Sequence, residues 1–184
     1  MSILDIRVLG DPVLRKETEI VEDVNDDIRK LINDMFETMY AAEGIGLAAP
    51  QVGRTERITV MDVEGAKFAL VNPEIVNRQG TARGEEGCLS IPDVFGEVER
   101  SYTVTVRALN ERGEEIEIVG NELLARCLQH EIDHLHGKLF LDYLSVLKRR
   151  AALAKWETVK DTYPGLIRKV KLEKKSAHHS EGEL

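Results

Sequence analysis

The sequence predicts an α+β fold: antiparallel or mixed β-sheets packed around a central helix that carries His-Glu-x-x-His, with an N-terminal and a C-terminal helix flanking them. Three observations lead there. Apolar residues recur at helical spacing through 25–44. Alternating, strand-type segments fill the middle of the chain and are closed by a turn at 110–113. A second helical stretch, 121–136, carries most of QHEIDHLHG (129–137), whose glycine stands just past its end.

Taken in order, the first helix rests on Ile28, Leu31, Ile32, Met35, Phe36, Met39 and Tyr40, which make one broad apolar face for a core. Asn25 or Asp26 can cap its start, and Gly44 stands just past its end. The next segment, GIGLAAPQVG at 44–53, is rich in small residues and interrupted by Pro50, which argues against a regular helix. Its glycines let another chain come close to the backbone. Strand-type runs follow at 57–63, 67–71 and 97–109; the turn at 110–113 then leads into a returning strand at 115–119. Asn121 can cap a second helix that ends near His136 and is stopped by Gly137. A third helix is expected at 145–159, punctuated by Pro164-Gly165. Nothing divides the chain, so we expect one domain over 1–165 and a polar, mobile tail over 166–184.

Composition narrows the function. The 184 residues are 42% hydrophobic and 32% charged, with a formal net charge of -8. Such a chain is globular and soluble in character, and it lacks the basic field that a general nucleic-acid binder needs. The basic residues between Lys169 and Lys175, and the adjacent pair His178 and His179, read as a solvated tail. No apolar run is long enough for a membrane span, and the start lacks the features of a secretion signal. Two cysteines, Cys88 and Cys127, cannot form a disulfide framework. A reducing, cytoplasmic setting is expected, in which a thiol is free to bind metal or react.

The chemistry lies in the second helix. At about 100° per residue, Leu123, Cys127, His130 and His134 fall on one stripe, beside an arc of Leu124, Leu128, Ile132 and Leu135. Arg126, Gln129, Asp133 and His136 fall on the opposite, polar side. One inward histidine is ordinarily a core residue with a hydrogen-bond partner. Two on one line, with Glu131 also facing inward, are harder to account for, because a buried carboxylate needs a cation or hydrogen bonds. A divalent ion held by both imidazoles answers this, with Glu131 reaching its bound water.

A third ligand must come from elsewhere. One metalloprotease pattern asks for a further histidine where Phe140 stands, and it fails. Glu157 lies in range but on the outer side of a helix. Cys127 shares the stripe with the histidines, whereas a ligand from a separate segment closes a tetrahedron more easily. Cys88, in the turn-rich GEEGCLSIP, is therefore favoured, and Cys127 is left as a pocket wall.

Three segments now agree. GIGLAAPQ (44–51), EGCLS (86–90) and HEIDHLHG (130–137) resemble, in order and spacing, the signature motifs of peptide deformylase, over residues 3–150. The resemblance implies removal of the formyl group from the initiator methionine of new polypeptides. It implies ferrous iron, with zinc, nickel or cobalt as substitutes, one ion per chain, held by Cys88, His130 and His134. Glu131 would be the general acid/base, with Gln51 and the Leu89 N–H stabilising the oxyanion. Gly44, Ile45, Gly46, Glu86, Leu123 and Cys127 would bind substrate. The implied partner is an N-formylmethionyl peptide or nascent chain, with transient ribosome association and no membrane. One position departs from the family: Arg126 stands where an apolar residue often lines the methionine pocket, and the helical wheel keeps its charge in water while its stem packs. A small metallopeptidase and a structural zinc module are the competing readings.

Overall fold

The computed structural model describes residues 2–172. Three α-helices, α1 (Asp26–Ala41), α2 (Glu122–Leu135) and α3 (Val146–Val159), combine with nine strands: β1 (Ile6–Arg7), β2 (Gly46–Ala48), β3 (Ile58–Val63), β4 (Ala66–Gln79), β5 (Ala82–Cys88), β6 (Ile91–Arg100), β7 (Thr103–Leu109), β8 (Glu115–Asn121) and β9 (Ile167–Arg168). All named strand pairs are antiparallel. Five strands form one sheet in the order β2-β3-β4-β7-β8, and β5-β6 and β1-β9 form two-stranded sheets. The fold is mixed α+β, as expected.

The large sheet is covered on both sides. In β3, Ile58 and Val60 pack with the apolar face of α1 (Leu31, Ile32, Met35) in one buried cluster. Met61 and Val63 turn the other way, into a cluster with Leu128 and Ile132 of α2. The two-residue alternation of a strand thus feeds two helix-packed layers. Helix α1 begins where expected, with Asn25 Oδ1 accepting from Ile28 N–H at 3.0 Å. The left-handed residue after it is Glu43 (φ 59) rather than Gly44.

Several expectations need correction. The strand expected at 67–71 runs on to Gln79, because a register shift after Val71 lets Asn72 and Pro73 sit inside it. The run expected at 97–109 is two strands in two sheets: the Gln129 side chain accepts from Ser101 N–H and donates to Ser101 O, both at 2.9 Å, and breaks it there. Asn121 does not cap α2 with its side chain; its Oδ1 accepts from Thr103 Oγ at 2.7 Å. GEEGCLSIP is a strand–turn–strand rather than an open loop, since Cys88 pairs with Ile91 across Leu89-Ser90. The tail expected from 166 is structured at its start, where Ile6 pairs with Arg168 and Arg7 with Ile167. His178 and His179 lie outside the described residues.

Candidate metal centre

Two elements bring the site together. Helix α2 supplies His130, Glu131 and His134, and the end of β5 supplies Cys88. All are buried. The ligand atoms of Cys88, His130 and His134 lie within 4.8 Å of one another. His134 Nε2 is 3.3 Å from Cys88 Sγ and 3.2 Å from His130 Nε2. The i, i+4 spacing accounts for the imidazole pair, and the β5–β6 turn accounts for the sulfur. Among protein groups alone, burial lowers the affinity of His130 for its proton, but its bonds to Cys88 and Glu86 outweigh this and raise it to about 10. Burial, with the charge of His130, drives His134 well below the ordinary range. An ion binding there would displace protons from its ligands.

The residues fit a metal ion. Both oxygens of Glu131 and Nδ1 of His134 are buried with no hydrogen-bond partner among the described residues. Buried polar groups are nearly always satisfied, so an orphaned carboxylate beside a thiol and two imidazoles points to a cation and its water. Burial pushes the Glu131 carboxyl up to about 7, partly offset by the charge of His130. A cysteine and two histidines would supply three of the four ligands that a catalytic zinc-type ion takes, leaving one place for water.

Glu86 is placed differently from the substrate contact expected of it. It is 1% exposed, and both oxygens are engaged. Oε1 accepts from Arg100 Nη2 at 2.9 Å and pairs with His130 Nδ1 at 2.9 Å. Oε2 accepts from Arg100 Nε at 3.0 Å and Arg126 Nη1 at 2.7 Å. Burial would raise its pKa, but the His130 and Arg100 bonds and charges hold it far below the usual carboxylate range. Glu86 is thus the partner that orients His130, leaving Nε2 for the centre. Arg126 and Gln129 are likewise not on a wet face. Arg126 is 8% exposed because its guanidinium also donates to Val98 O and Ala82 O, both at 2.9 Å. Arg100 was not foreseen; beyond Glu86 it reaches Asp133 at 2.5 Å and lies 4.5 Å over the Tyr143 ring. No local pattern announces it, because its partners are distant in the chain.

Gln51 and the glycines of 44–46 stand close to the side chains of Cys88, Leu89 and Glu131. Gln51 Oε1 accepts from Ala48 N–H at 2.8 Å, which turns Nε2 toward Cys88 Sγ (3.5 Å) and Ser90 Oγ (3.2 Å). The glycines of GIGLAAPQ accommodate the protein itself: a Cβ on Gly46 would lie 2.6 Å from Glu131 Oε1, and one on Gly44 2.6 Å from Leu89 Cδ1. Cys127 is buried with its sulfur 3.9 Å from Ile45 O, and burial pushes its thiol well up, which suits a wall rather than a ligand. Ile45 is partly buried against the α2 cluster; Leu123, expected on the inward stripe, is instead 39% exposed, because it lies in the first turn of α2, ahead of the buried part of the helix.

The chain is similar to known proteins over most of its length. A family profile described as polypeptide deformylase matches residues 3–150. The peptide deformylase of Alkalilimnicola ehrlichii is 54% identical over 161 residues, spanning 85% of this chain and 90% of that protein. The crystal structure of a peptide deformylase from Legionella pneumophila is similar with a TM-score of 0.84 at 49% identity, covering 88% of this chain and 97% of that one. That of Ehrlichia chaffeensis in complex with actinonin gives 0.82 at 44% identity, covering 89% and 99%.

Proposed function

The chain belongs to the polypeptide deformylase family and is an enzyme; we propose that it hydrolyses the formyl group from the N-terminal formyl-methionine of newly made polypeptides. The observation that carries this is the convergence of Cys88, His130 and His134 beside a buried Glu131 that none of the described residues satisfies. Those three residues would hold the ion, ferrous iron on the family resemblance, with zinc, nickel or cobalt able to substitute. When bound, a divalent ion supplies Lewis acidity and brings the pKa of a water from about 15.7 to about 7.

The chain's own residues do the rest. Glu131 takes the proton of the attacking water as the new C–O bond forms at the formyl carbon, and returns it to the amine nitrogen as the C–N bond breaks. Formate and a free amino terminus leave. The negative oxygen of the tetrahedral species is met by Gln51 Nε2 and the Leu89 N–H. Outer strand β2, with Gly44 and Ile45 before it, offers its backbone to an extended peptide. Ile45, Leu89, Leu123 and Cys127 surround the methionine side chain. Glu86, Arg100 and Arg126 orient His130. We assign all this to one catalytic domain that runs through Arg168. Because its substrate is a chain leaving the ribosome, ribosome contact is transient and the setting cytoplasmic. Of the described residues, no helix is long and apolar enough to cross a membrane.

The test is an anaerobic assay of formyl-Met-Ala-Ser against Met-Ala-Ser, with metal analysis of the same sample. Formate from the first and no cleavage of the second is expected. Cleavage of the unformylated peptide would instead indicate a peptidase, and a metal-loaded but inert protein would indicate a structural site.

A further inference from the structure

The Leu89-Ser90 turn between β5 and β6 is held from three directions. Leu9 N–H donates to Ser90 O at 2.9 Å, Gln51 Nε2 donates to Ser90 Oγ at 3.2 Å, and Arg168 Nη1 donates to Leu89 O at 3.1 Å. The third contact comes from outside the residues that match the family profile. Strand β9 delivers it: Arg168 pairs with Ile6, Val8 N–H donates to Leu166 O at 3.1 Å, and Lys169 Nζ reaches Asp5 at 2.7 Å. Leu89 is fully buried, with its side chain packed against the space at Gly44. The Leu89 N–H lies in the preceding peptide plane, shared with the Cys88 carbonyl, so the held side chain and carbonyl act on it through Cα: together they fix where the Leu89 nitrogen sits. Arg168 supplies the one charged donor of the three, a kind of hydrogen bond roughly twice as strong as a neutral one at comparable geometry.

We propose that Arg168 is a positioning residue for deformylation: by holding the Leu89 carbonyl, it aims the Leu89 N–H at the oxygen that becomes negative. This rests on the reading above, in which that N–H is an oxyanion donor. Such a donor works only when it points at the developing charge, and a displacement of about 1 Å caused from a distance can cost about 100-fold.

Arg168→Met keeps the stem and removes the donor; Arg168→Lys restores a cationic donor. Lys169→Met, on the same strand, removes only the surface pair with Asp5. The holoenzymes are compared for kcat and KM on a formyl-methionyl peptide, for bound metal, and for the amide resonance of Leu89 in a proton–nitrogen correlation spectrum. In Arg168→Met we expect kcat to fall about tenfold with KM within about twofold, unchanged metal and a shifted Leu89 amide. Arg168→Lys should recover part of both losses, and Lys169→Met should change neither. An unchanged kcat, an effect on KM alone, a loss of metal or an unmoved Leu89 amide overturns the assignment. If Arg168→Met does not fold, Arg168→Gln takes its place under the same criteria. A wild-type holoenzyme that releases no formate overturns the functional reading itself, and this assignment with it. An active wild type with an indifferent Arg168→Met overturns the assignment alone.

Discussion

Two glutamates sit within one buried site and are treated in opposite ways. Glu86 accepts four hydrogen bonds, from both guanidinium groups and His130. Glu131 is fully buried and accepts none among the described residues. Burial raises both carboxyls; the His130 and Arg100 contacts overcome this at Glu86, and nothing comparable does at Glu131. Environments that push two acids apart assign them different tasks. A saturated carboxylate orients and an unsatisfied one reacts, so their mutants should fail in different ways.

Glutamine at each position tests this most sharply. Glu131→Gln keeps the shape and removes the base, so turnover should fall by about 10²–10⁴. Metal content should hold, and so should the denaturation midpoint, since a buried unpaired charge is removed. A loss of stability would erase the contrast. Glu86→Gln should do the reverse, costing about 3–5 kcal/mol in denaturant unfolding because two buried guanidinium groups lose their charge partner. Metal affinity should drop about 10–100-fold, read by competition with a chelator. Gly46→Ala is the next in size. Its methyl would press on Glu131 Oε1, at a cost of about 2 kcal/mol and a visible drop in kcat. The smallest effect belongs to Arg126→Met, about 1.5 kcal/mol, because Arg100 still covers Glu86. If that variant lost as much as Glu86→Gln, Arg126 rather than Arg100 would be the main support.

Legibility in the sequence followed the range of the interactions. The histidine pair was readable because i, i+4 neighbours are a local property of a helix. Helix α1 was readable for the same reason. A helical wheel puts Arg126 and Gln129 on the wrong side because it sends charge and amide groups to water by default. In the folded chain, Glu86 lies 40 residues from Arg126 and 14 from Arg100, and no periodicity reports such partners. Strand β5, ARGEEGC, has neither β-branched residues nor apolar alternation; it is a strand because β6 pairs with it. The break at Ser101 depends on a glutamine 28 residues later. What the motifs could convey was which residues converge, and what they could not was which carboxylate is tied down.

Strand β2 is three residues long and lies at the margin of its sheet. A border so short gives a visiting chain few main-chain partners, and those partners ignore the visitor's side chains. On the proposed reading, the grip would be brief and indiscriminate. A deformylase that meets many different new chains would need that looseness more than it needs affinity. The same shortness discourages neighbouring copies from zipping together along the edge.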